Sequence, residues 1–223
     1  MFFPEKIISI RPQDKVLEIG PGATPCKRSD AFLELDFDTD KAKISQRGEV
    51  LKEPVFGNRP VHHYDGEKFP FRDNQFDYVI CSHVVEHVVN PDYFLNEIFR
   101  VGSGRGYLEY PLITYEYMYN FDVHLQFVKF DFEQRVLRYL PKRDTALPQF
   151  APVTSIFYRT LELGWADLCS ANKQLFFEGI EFNQPFLVEK TNDLAKLIPS
   201  HSLIVPKSTV RRVFGQIVDR LHM

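Results

Sequence analysis

The sequence lacks the features that mark secreted, membrane-spanning and nucleic-acid-binding proteins. Its three cysteines, Cys26, Cys81 and Cys169, are far apart and in no metal-ligand spacing, which is typical of a protein of the reducing cytoplasm. No apolar run is long enough to span a bilayer, and the first residues lack the basic start and apolar stretch of a signal peptide. The formal net charge of −3 provides no broad cationic field, so the sequence argues against nucleic acids and membranes as partners.

The length and composition predict one ordinary soluble domain. The 223 residues are enough for a single α/β domain over residues 1–223, and 44% of them are hydrophobic and 26% charged. The aromatic content is the unusual feature: the whole chain has 21 Phe and 10 Tyr, and these residues are crowded in the stretch from Tyr107 to Phe132. Because composition alone identifies no ligand, the functional prediction rests on motifs.

The stretch K-V-L-E-I-G-P-G at residues 15–22 predicts a short buried strand, interrupted by Glu18, that ends in a glycine turn. Such a turn lets a ligand approach backbone that Cβ atoms would otherwise shield. Only residues 23–30 separate the turn from the next apolar run, which leaves room for a helical turn or two at most. Pro25 occupies the third glycine position of the dinucleotide motif. A short helix is a poor phosphate site, so an NAD-type oxidoreductase is disfavoured.

Apolar runs alternate with helix signals through the first half of the chain. After the first strand, further strands are predicted at residues 31–35, 61–65, 75–82 and 107–111, and a helix begins after Asn90 with Pro91 in its first turn. This alternation predicts an α/β fold with a Rossmann-like, doubly wound and mostly parallel sheet.

The second half of the chain departs from this rhythm. Residues 112–150 are predicted to form a helical and aromatic insertion that binds substrate, with a helix at 131–140 that begins in a capping box of Asp131 and Gln134. Residues 151–206 contain β-prone pieces, which predict antiparallel strands that complete the sheet. Residues 207–223 predict a helix with one apolar face, which must pack on this domain or on a second copy in a homodimer.

The sequence H-V-V-E-H at residues 83–87 matches H-x-x-E-H, a zinc-protease signature in which one helix presents both histidines. It follows directly after a predicted strand, and S-H-V-V-E-H at this place resembles a segment that methyltransferases carry there. This resemblance implies that Glu86 and His87 are structural or face substrate. We therefore predict no metal site.

Three segments together resemble class I S-adenosylmethionine-dependent methyltransferases of the small single-domain type, over roughly residues 14–111. They are E-I-G-P-G, then L-D, then Y-D-G-E-K-F-P-F-R-D-N-Q-F-D-Y-V-I-C-S-H-V-V-E-H-V-V-N-P. The glycine turn alone is a weak signal, but the ordered combination is specific. The resemblance implies that residues 13–111 bind S-adenosylmethionine. That cofactor has no phosphate, so it does not need the missing helix, and its cationic sulfonium tolerates nearby carboxylates.

The resemblance also implies a role for individual residues. The methionine moiety and ribose would lie against Glu18, Gly20, Pro21 and Gly22. Asp36 would bind the ribose, and Asp65 would bind the adenine amino group with backbone contact from Gly66. Ser82 and His83 would lie near the transferred methyl group.

The family's usual chemistry is a direct displacement in which the protein aligns the nucleophile with the methyl–sulfur bond. A hydroxyl nucleophile also needs a general base, most often histidine. His124, in the aromatic insertion, is our first candidate for a catalytic residue and His83 the second; the alternative for His124 is a purely structural contact.

The insertion is also similar to methyltransferase-like proteins of bacterial cell-surface polysaccharide gene clusters. This similarity implies a sugar, sugar-nucleotide or phosphate-linked acceptor and a role in polysaccharide biosynthesis. A catalytically inactive binding module with the same fold is the alternative function.

Overall fold

The computed structural model describes residues 1–36 and 54–199. The predicted C-terminal helix at 207–223, and with it the predicted homodimer contact, lies outside the described residues. Among the residues that are described, no helix has the length and apolarity needed to cross a membrane.

Nine strands are described, with short helices between them. The strands are β1 (Val16–Ile19), β2 (Ala31–Leu35), β3 (Val61–Tyr64), β4 (Tyr78–Ser82), β5 (Gly106–Pro111), β6 (Gln126–Asp131), β7 (Val136–Pro141), β8 (Phe177–Phe182) and β9 (Leu187–Lys190). The α-helices are α1 (Pro91–Val101), α2 (Ile113–Tyr119), α3 (Ala151–Thr160), α4 (Trp165–Ala171) and α5 (Lys173–Phe176). Single 3₁₀ turns cover Pro4–Lys6, Val85–His87, Lys142–Asp144, Leu147–Phe150, Leu161–Leu163 and Leu194–Leu197.

The main sheet has six strands in the order β3-β2-β1-β4-β5-β8. The first five are parallel, and β8 runs antiparallel to β5. Alternate residues of a strand face opposite sides, so Leu17 and Ile19 pack on one face with α1, whereas Val16 packs on the other with α2, α4 and α5. The predicted α/β fold with a doubly wound, mostly parallel sheet is confirmed.

The start of α1 follows the predicted signal. The side-chain oxygen of Asn90 accepts a hydrogen bond from the N–H of Tyr93 at 3.2 Å, and Pro91 occupies the first helical position, where its missing N–H costs nothing. The prediction of this helix is confirmed.

The predicted helix at residues 131–140 is wrong, because these residues form the turn and second strand of the β6–β7 hairpin. The Asp131 side chain accepts hydrogen bonds from the N–H groups of Glu133 and Gln134 at 3.0 Å, as a capping residue would. The chain then reverses at Arg135, whose φ of 54° is left-handed. Asp131 therefore caps a hairpin turn rather than a helix.

Residues 151–206 also differ from the prediction. The segment V-T-S-I-F-Y lies in α3, and β9 pairs with β7 in a separate three-stranded sheet of order β6-β7-β9. Within the described residues, β8 is the one strand of this segment that extends the main sheet. The predicted antiparallel completion is therefore correct for β8 and wrong for the other described pieces.

Candidate functional site

A cavity of about 1080 Å³ opens where the parallel strands β1 to β4 end. This edge of an open α/β sheet is where such folds bind their ligands. The glycine turn after β1, the end of β2, the turn after β3 and the end of β4 supply one side of the wall. The segments around His87 and His124, together with Tyr93, Phe121 and Tyr158, supply the rest.

The glycine turn has the backbone that its sequence requires. Gly20 and Gly22 both have a φ of 58°, in the left-handed region that favours glycine. A Cβ on Gly20 would lie 2.6 Å from Cγ2 of Val84, so this position also requires a residue without a side chain. Described residues 20–30 contain turns and no helix, which agrees with the prediction that little helix fits there.

Glu18 holds the loop that replaces a helix. Its buried Oε2 accepts hydrogen bonds from the N–H of Cys26 at 2.8 Å and the hydroxyl of Ser29 at 2.7 Å. Burial raises the pKa of Glu18, and these hydrogen bonds and nearby Arg59 oppose the rise without cancelling it. Arg59 ties the same loop by donating to the carbonyl oxygens of Cys26 and Ser29. Glu18 therefore lines the cavity while it fixes the loop's shape.

Glu109, within β5, is a fully buried carboxylate that joins several elements. It accepts hydrogen bonds from the backbone N–H groups of Phe2 and Phe3, the hydroxyls of Ser82 and Tyr107, and Nε2 of His83. Burial acts to raise its pKa, but His83 and the Tyr107 hydroxyl outweigh burial and lower the pKa of Glu109 to about 2. The carboxylate thus stays charged and anchors the end of β4.

His83 lies between two buried carboxylates and has a left-handed φ of 57°. Its Nε2 is 3.0 Å from Glu109 Oε1, and its Nδ1 is 3.4 Å from Glu86 Oε1. Burial acts to lower its pKa, but the two carboxylates raise the pKa of His83 to about 9. The ring is therefore a cation at neutral pH. Only Val85–His87 forms a 3₁₀ turn, so the helix that H-x-x-E-H needs to present both histidines on one face is not formed.

His124 forms a pair with a buried carboxylate. Its Nδ1 is 2.5 Å from Oε1 of Glu116, whose other oxygen accepts a hydrogen bond from Lys142 Nζ at 2.9 Å. Because Glu116 Oε1 binds Nδ1, the second ring nitrogen of His124 is left for other contacts, and the residue lines the cavity. This Glu–His arrangement is how proteins orient a histidine base.

His87 packs against His124 with its ring perpendicular and the ring centroids 4.6 Å apart. Its Nδ1 is 3.0 Å from the carbonyl oxygen of Val123, and its Nε2 is 3.9 Å from Glu86 Oε1. Burial lowers the pKa of His87, with the charge of His124 adding to this and Glu86 opposing it. His87 is therefore a neutral ring at the cavity wall.

The family comparison agrees with this site. Residues 20–109 match the methyltransferase domain family. No curated protein shows significant similarity to the chain. The matched methyltransferase segment contains the glycine turn, strands β2 to β4 and the part of β5 up to Glu109. It covers most of the region in which the sequence resembles class I methyltransferases, and it ends before Glu116 and His124.

Solved structures from several organisms are similar to part of the chain. One is a complex between the Trm112 methyltransferase activator and a methyltransferase of Haloferax volcanii, with 18% identity over 47% of each chain and a TM-score of 0.34. The YcgJ protein of Bacillus subtilis has 23% identity over 47% of each chain, with a TM-score of 0.33. A SAM-dependent methyltransferase of Thermotoga maritima has 23% identity over 49% of each chain, with a TM-score of 0.32. The chain thus spans about half the length of these structures.

Most of the predicted cofactor residues lie at one cavity. The residues that line it are Glu18, Gly20, Pro21, Gly22, Asp65, Gly66, Ser82 and His83. Asp36 is not among the lining residues; its side chain is 66% exposed, and Oδ1 lies 3.1 Å from His63 Nδ1. Glu34, two residues earlier and within β2, lies in the wall instead, although no sequence motif marks it. The roles of these residues toward a cofactor stay predictions.

Replacing Glu109 with glutamine is expected to flatten the acid dependence of stability. The folded-state pKa of about 2 lies below the ordinary value of 4.5, so the carboxylate contributes stability above pH 4.5 that is lost as the pH falls through 2. The shift corresponds to a contribution on the order of 3 kcal/mol. Urea unfolding of both proteins at neutral and acid pH measures it. The difference in free energy of unfolding between the wild type and Glu109→Gln should be large at neutral pH and shrink in acid. Glu133→Gln, at an exposed position, should have the stability of the wild type at both pH values. A difference for Glu109→Gln that stays constant with pH contradicts the lowered pKa of Glu109.

Proposed function

We propose that the chain transfers the methyl group of S-adenosylmethionine to a hydroxyl oxygen of a small-molecule acceptor. One observation carries the proposal: a single cavity joins the glycine turn and Asp65 at one part of its wall to His124 at another. The match of residues 20–109 to a methyltransferase domain supports the choice of cofactor.

We infer the cofactor's orientation from the family resemblance and the cavity wall. The methionine moiety would lie on the backbone of Gly20, Pro21 and Gly22. A Cβ on Gly22 would meet no protein atom within 4 Å, so the missing side chain leaves open space beside the backbone there. The adenine would lie beside Asp65 and Gly66. Glu34 in β2 and Asp36, which directly follows β2, are the candidates for the ribose hydroxyls.

The methyl group would then point toward the end of β4, at Ser82 and His83. His83 is a cation held by Glu86 and Glu109, and so has no free lone pair with which to act as a base. Its proposed part is to position Ser82 and the cavity wall through Glu109, which also binds the Ser82 hydroxyl. The carboxylates around it keep this part of the cavity suited to a sulfonium.

His124 is the proposed general base. The acceptor oxygen attacks the methyl carbon, the carbon–sulfur bond breaks with its electron pair going to sulfur, and the hydroxyl proton moves to His124. Glu116 stabilises the imidazolium that forms, because its carboxylate already binds Nδ1. The products are the methyl ether and neutral S-adenosylhomocysteine.

We infer a sugar or sugar-nucleotide acceptor, and with it a role in cytoplasmic polysaccharide biosynthesis. Tyr93, Phe121 and Tyr158 line the cavity and offer flat apolar faces against which a sugar ring could lie. The inference otherwise rests on the resemblance of the insertion to proteins of polysaccharide gene clusters.

Calorimetry with S-adenosylmethionine tests the cofactor assignment. The wild-type chain is expected to bind it, and Asp65→Ala to bind it roughly 10- to 150-fold more weakly, since a hydrogen bond to a charged group contributes roughly 1.5–3 kcal/mol. Asp73→Ala is the matched control, because Asp73 is an exposed aspartate whose carboxylate pairs with Arg100 outside the cavity. Absence of binding by the wild type would contradict the proposal.

A binding module that holds the cofactor without turnover is the second candidate function. The loop at residues 20–30 favours this second function. Glu18 Oε2 already accepts hydrogen bonds from Cys26 and Ser29, so only the other carboxylate oxygen of Glu18 is left for a ligand. Binding of S-adenosylmethionine with no S-adenosylhomocysteine release on any hydroxyl acceptor would favour this second function.

A further inference from the structure

Two histidines and one glutamate converge at the cavity wall with lone pairs that the protein leaves unused. Nδ1 of His87 faces the carbonyl oxygen of Val123 at 3.0 Å. A carbonyl oxygen can only accept, so this nitrogen carries the proton. Nε2 is therefore the nitrogen that the Val123 contact leaves for a ligand, and the atom it faces is another acceptor, Glu86 Oε1 at 3.9 Å.

His124 likewise carries a proton on Nδ1. Its Nδ1 binds the carboxylate of Glu116, whose other oxygen is bound by the Lys142 ammonium. An ionised carboxylate accepts hydrogen bonds and donates none, so Nδ1 again carries the proton. Nε2 of His124 is therefore the nitrogen left to bind a ligand.

Glu86 completes the group. Its side chain is fully buried, and neither carboxylate oxygen accepts a hydrogen bond from the described residues. Its nearest cation is the His83 ring, whose Nδ1 is 3.4 Å from Oε1, so Oε2 is the oxygen without a close cation. Leaving a buried carboxylate oxygen without a hydrogen bond is costly, and a bound cation would remove that cost.

We propose that Glu86, His87 and His124 bind one divalent first-row transition-metal ion. Each offers a ligand atom, and these atoms lie within 4.8 Å of one another. Two imidazoles and a carboxylate form a ligand set of catalytic zinc and non-haem iron sites, which keep coordination positions open. Bonds of about 2.1 Å would bring the ligand atoms to roughly 3.3 Å apart, which requires small side-chain rotations.

The surroundings have the form that metal sites take. In both rings the nitrogen away from the ion donates to an oxygen, Val123 O for His87 and Glu116 Oε1 for His124. Such contacts fix the tautomer and orientation of a ligating histidine. The ligand set differs from that of H-x-x-E-H, since His83 binds Glu109 and the third ligand comes from the insertion.

This inference deepens the proposed function and, in its catalytic consequence, rests on it. His87 and His124 line the cavity, so an open coordination position would face the acceptor. The ion would bind the acceptor oxygen and lower the pKa of its hydroxyl, which replaces proton abstraction by the free His124 ring. The acceptor would then lose its proton to solvent before attack on the methyl group.

Metal titration of the chelator-treated full chain tests the site. Calorimetry with Zn²⁺ should give one ion per chain, and Co²⁺ should give the visible absorption of a low-symmetry site with nitrogen and oxygen ligands. His87→Gln and His124→Gln should each weaken Zn²⁺ binding by on the order of 100-fold. His63→Gln is the matched control, since His63 is half-exposed and pairs with Asp36 elsewhere, and it should bind as the wild type does.

Two results would overturn the site: no stoichiometric binding by the wild type, or equal affinity in His87→Gln and wild type. His87→Gln also serves as the second variant, because it leaves the Glu116, Lys142 and His124 contacts in place if His124→Gln does not fold. Calorimetry with S-adenosylmethionine on the metal-free chain keeps the two proposals apart. Binding of Zn²⁺ without binding of S-adenosylmethionine supports the metal site and contradicts the proposed function. Binding of S-adenosylmethionine without binding of Zn²⁺ supports the proposed function and contradicts the metal site.

Discussion

Replacing His124 with glutamine is expected to lower the rate of methyl transfer by roughly 10²- to 10⁴-fold, which is the usual contribution of a positioned acid or base. Glutamine keeps a polar side chain next to Glu116 but cannot take a proton at neutral pH. S-adenosylhomocysteine release measures the rate with a hydroxyl acceptor found by screening sugars and sugar nucleotides. Affinity for S-adenosylmethionine should stay unchanged, because the proposed cofactor contacts lie along β1 to β4.

The comparison with His83→Asn and with chelation makes this result specific. If chelator treatment of the wild type lowers the rate as much as His124→Gln does, and Zn²⁺ restores the rate of the treated wild type, His124 acts as a metal ligand. A loss seen only in the variant assigns it to direct proton abstraction. An unchanged rate in His124→Gln contradicts both roles and leaves this histidine as a structural contact of the insertion. His83→Asn should affect turnover less, since His83 holds the wall through Glu109 and takes no proton.

Replacing Glu116 with alanine is expected to destabilise the fold by about 3–5 kcal/mol, the cost of removing one partner of a buried ion pair. Glu116 is fully buried, and its carboxylate binds both His124 and Lys142. The Lys142 ammonium would keep its hydrogen bond to the carbonyl oxygen of Phe121 but lose its ion partner. Urea unfolding monitored by circular dichroism measures the loss.

A double variant separates the ion pair from the packing. Glu116→Leu combined with Lys142→Met replaces both charges by apolar groups of similar volume, a change that is often neutral or stabilising. The double variant should therefore be more stable than Glu116→Ala. If it is as unstable as Glu116→Ala, the unpaired Lys142 ammonium is not the cause of the destabilisation. The double variant should still lose activity, because His124 loses the carboxylate that orients it.

The first half of the fold could be predicted because local signals and tertiary packing agree there. Strands β1 to β5 are short apolar runs bounded by turn residues, and the Asn90–Pro91 signal marks a helix that forms. The glycine turn was identifiable because only glycine combines a left-handed φ with the close approach of Val84. The fixed order of these signals carried the resemblance to a methyltransferase.

The second half could not be predicted by the same means. Asp131 makes hydrogen bonds to the next N–H groups in a hairpin turn much as it would at a helix start, so the sequence pattern does not distinguish the two. The β-prone residues of V-T-S-I-F-Y form α3, whose packing in the fold overrides weak local preferences.

The candidate site was only half visible in the sequence. His124 and Asp65 stood out by type and position, but the partner of His124 is Glu116, at a spacing of eight residues that no helix or strand pattern predicts. No sequence feature marks Glu109 in the strand G-Y-L-E-Y-P. Its role depends on contacts with Phe2, Phe3 and His83, which are distant in sequence. Such pairings follow from topology and need the fold before they can be identified.

The pairing of β5 with β8 has a consequence for how the chain folds. All six residues of β5 are buried, and their outer backbone edge is paired with Phe177–Phe182, which follow only after the β6–β7 hairpin and the four helices α2 to α5. Until β8 has been synthesised, β5 therefore has an apolar, unpaired edge, and strands of other chains can pair with such an edge. A fragment that stops before β8 should aggregate even though it contains every predicted cofactor residue. Expression of the methyltransferase segment alone would thus need β8 supplied with it.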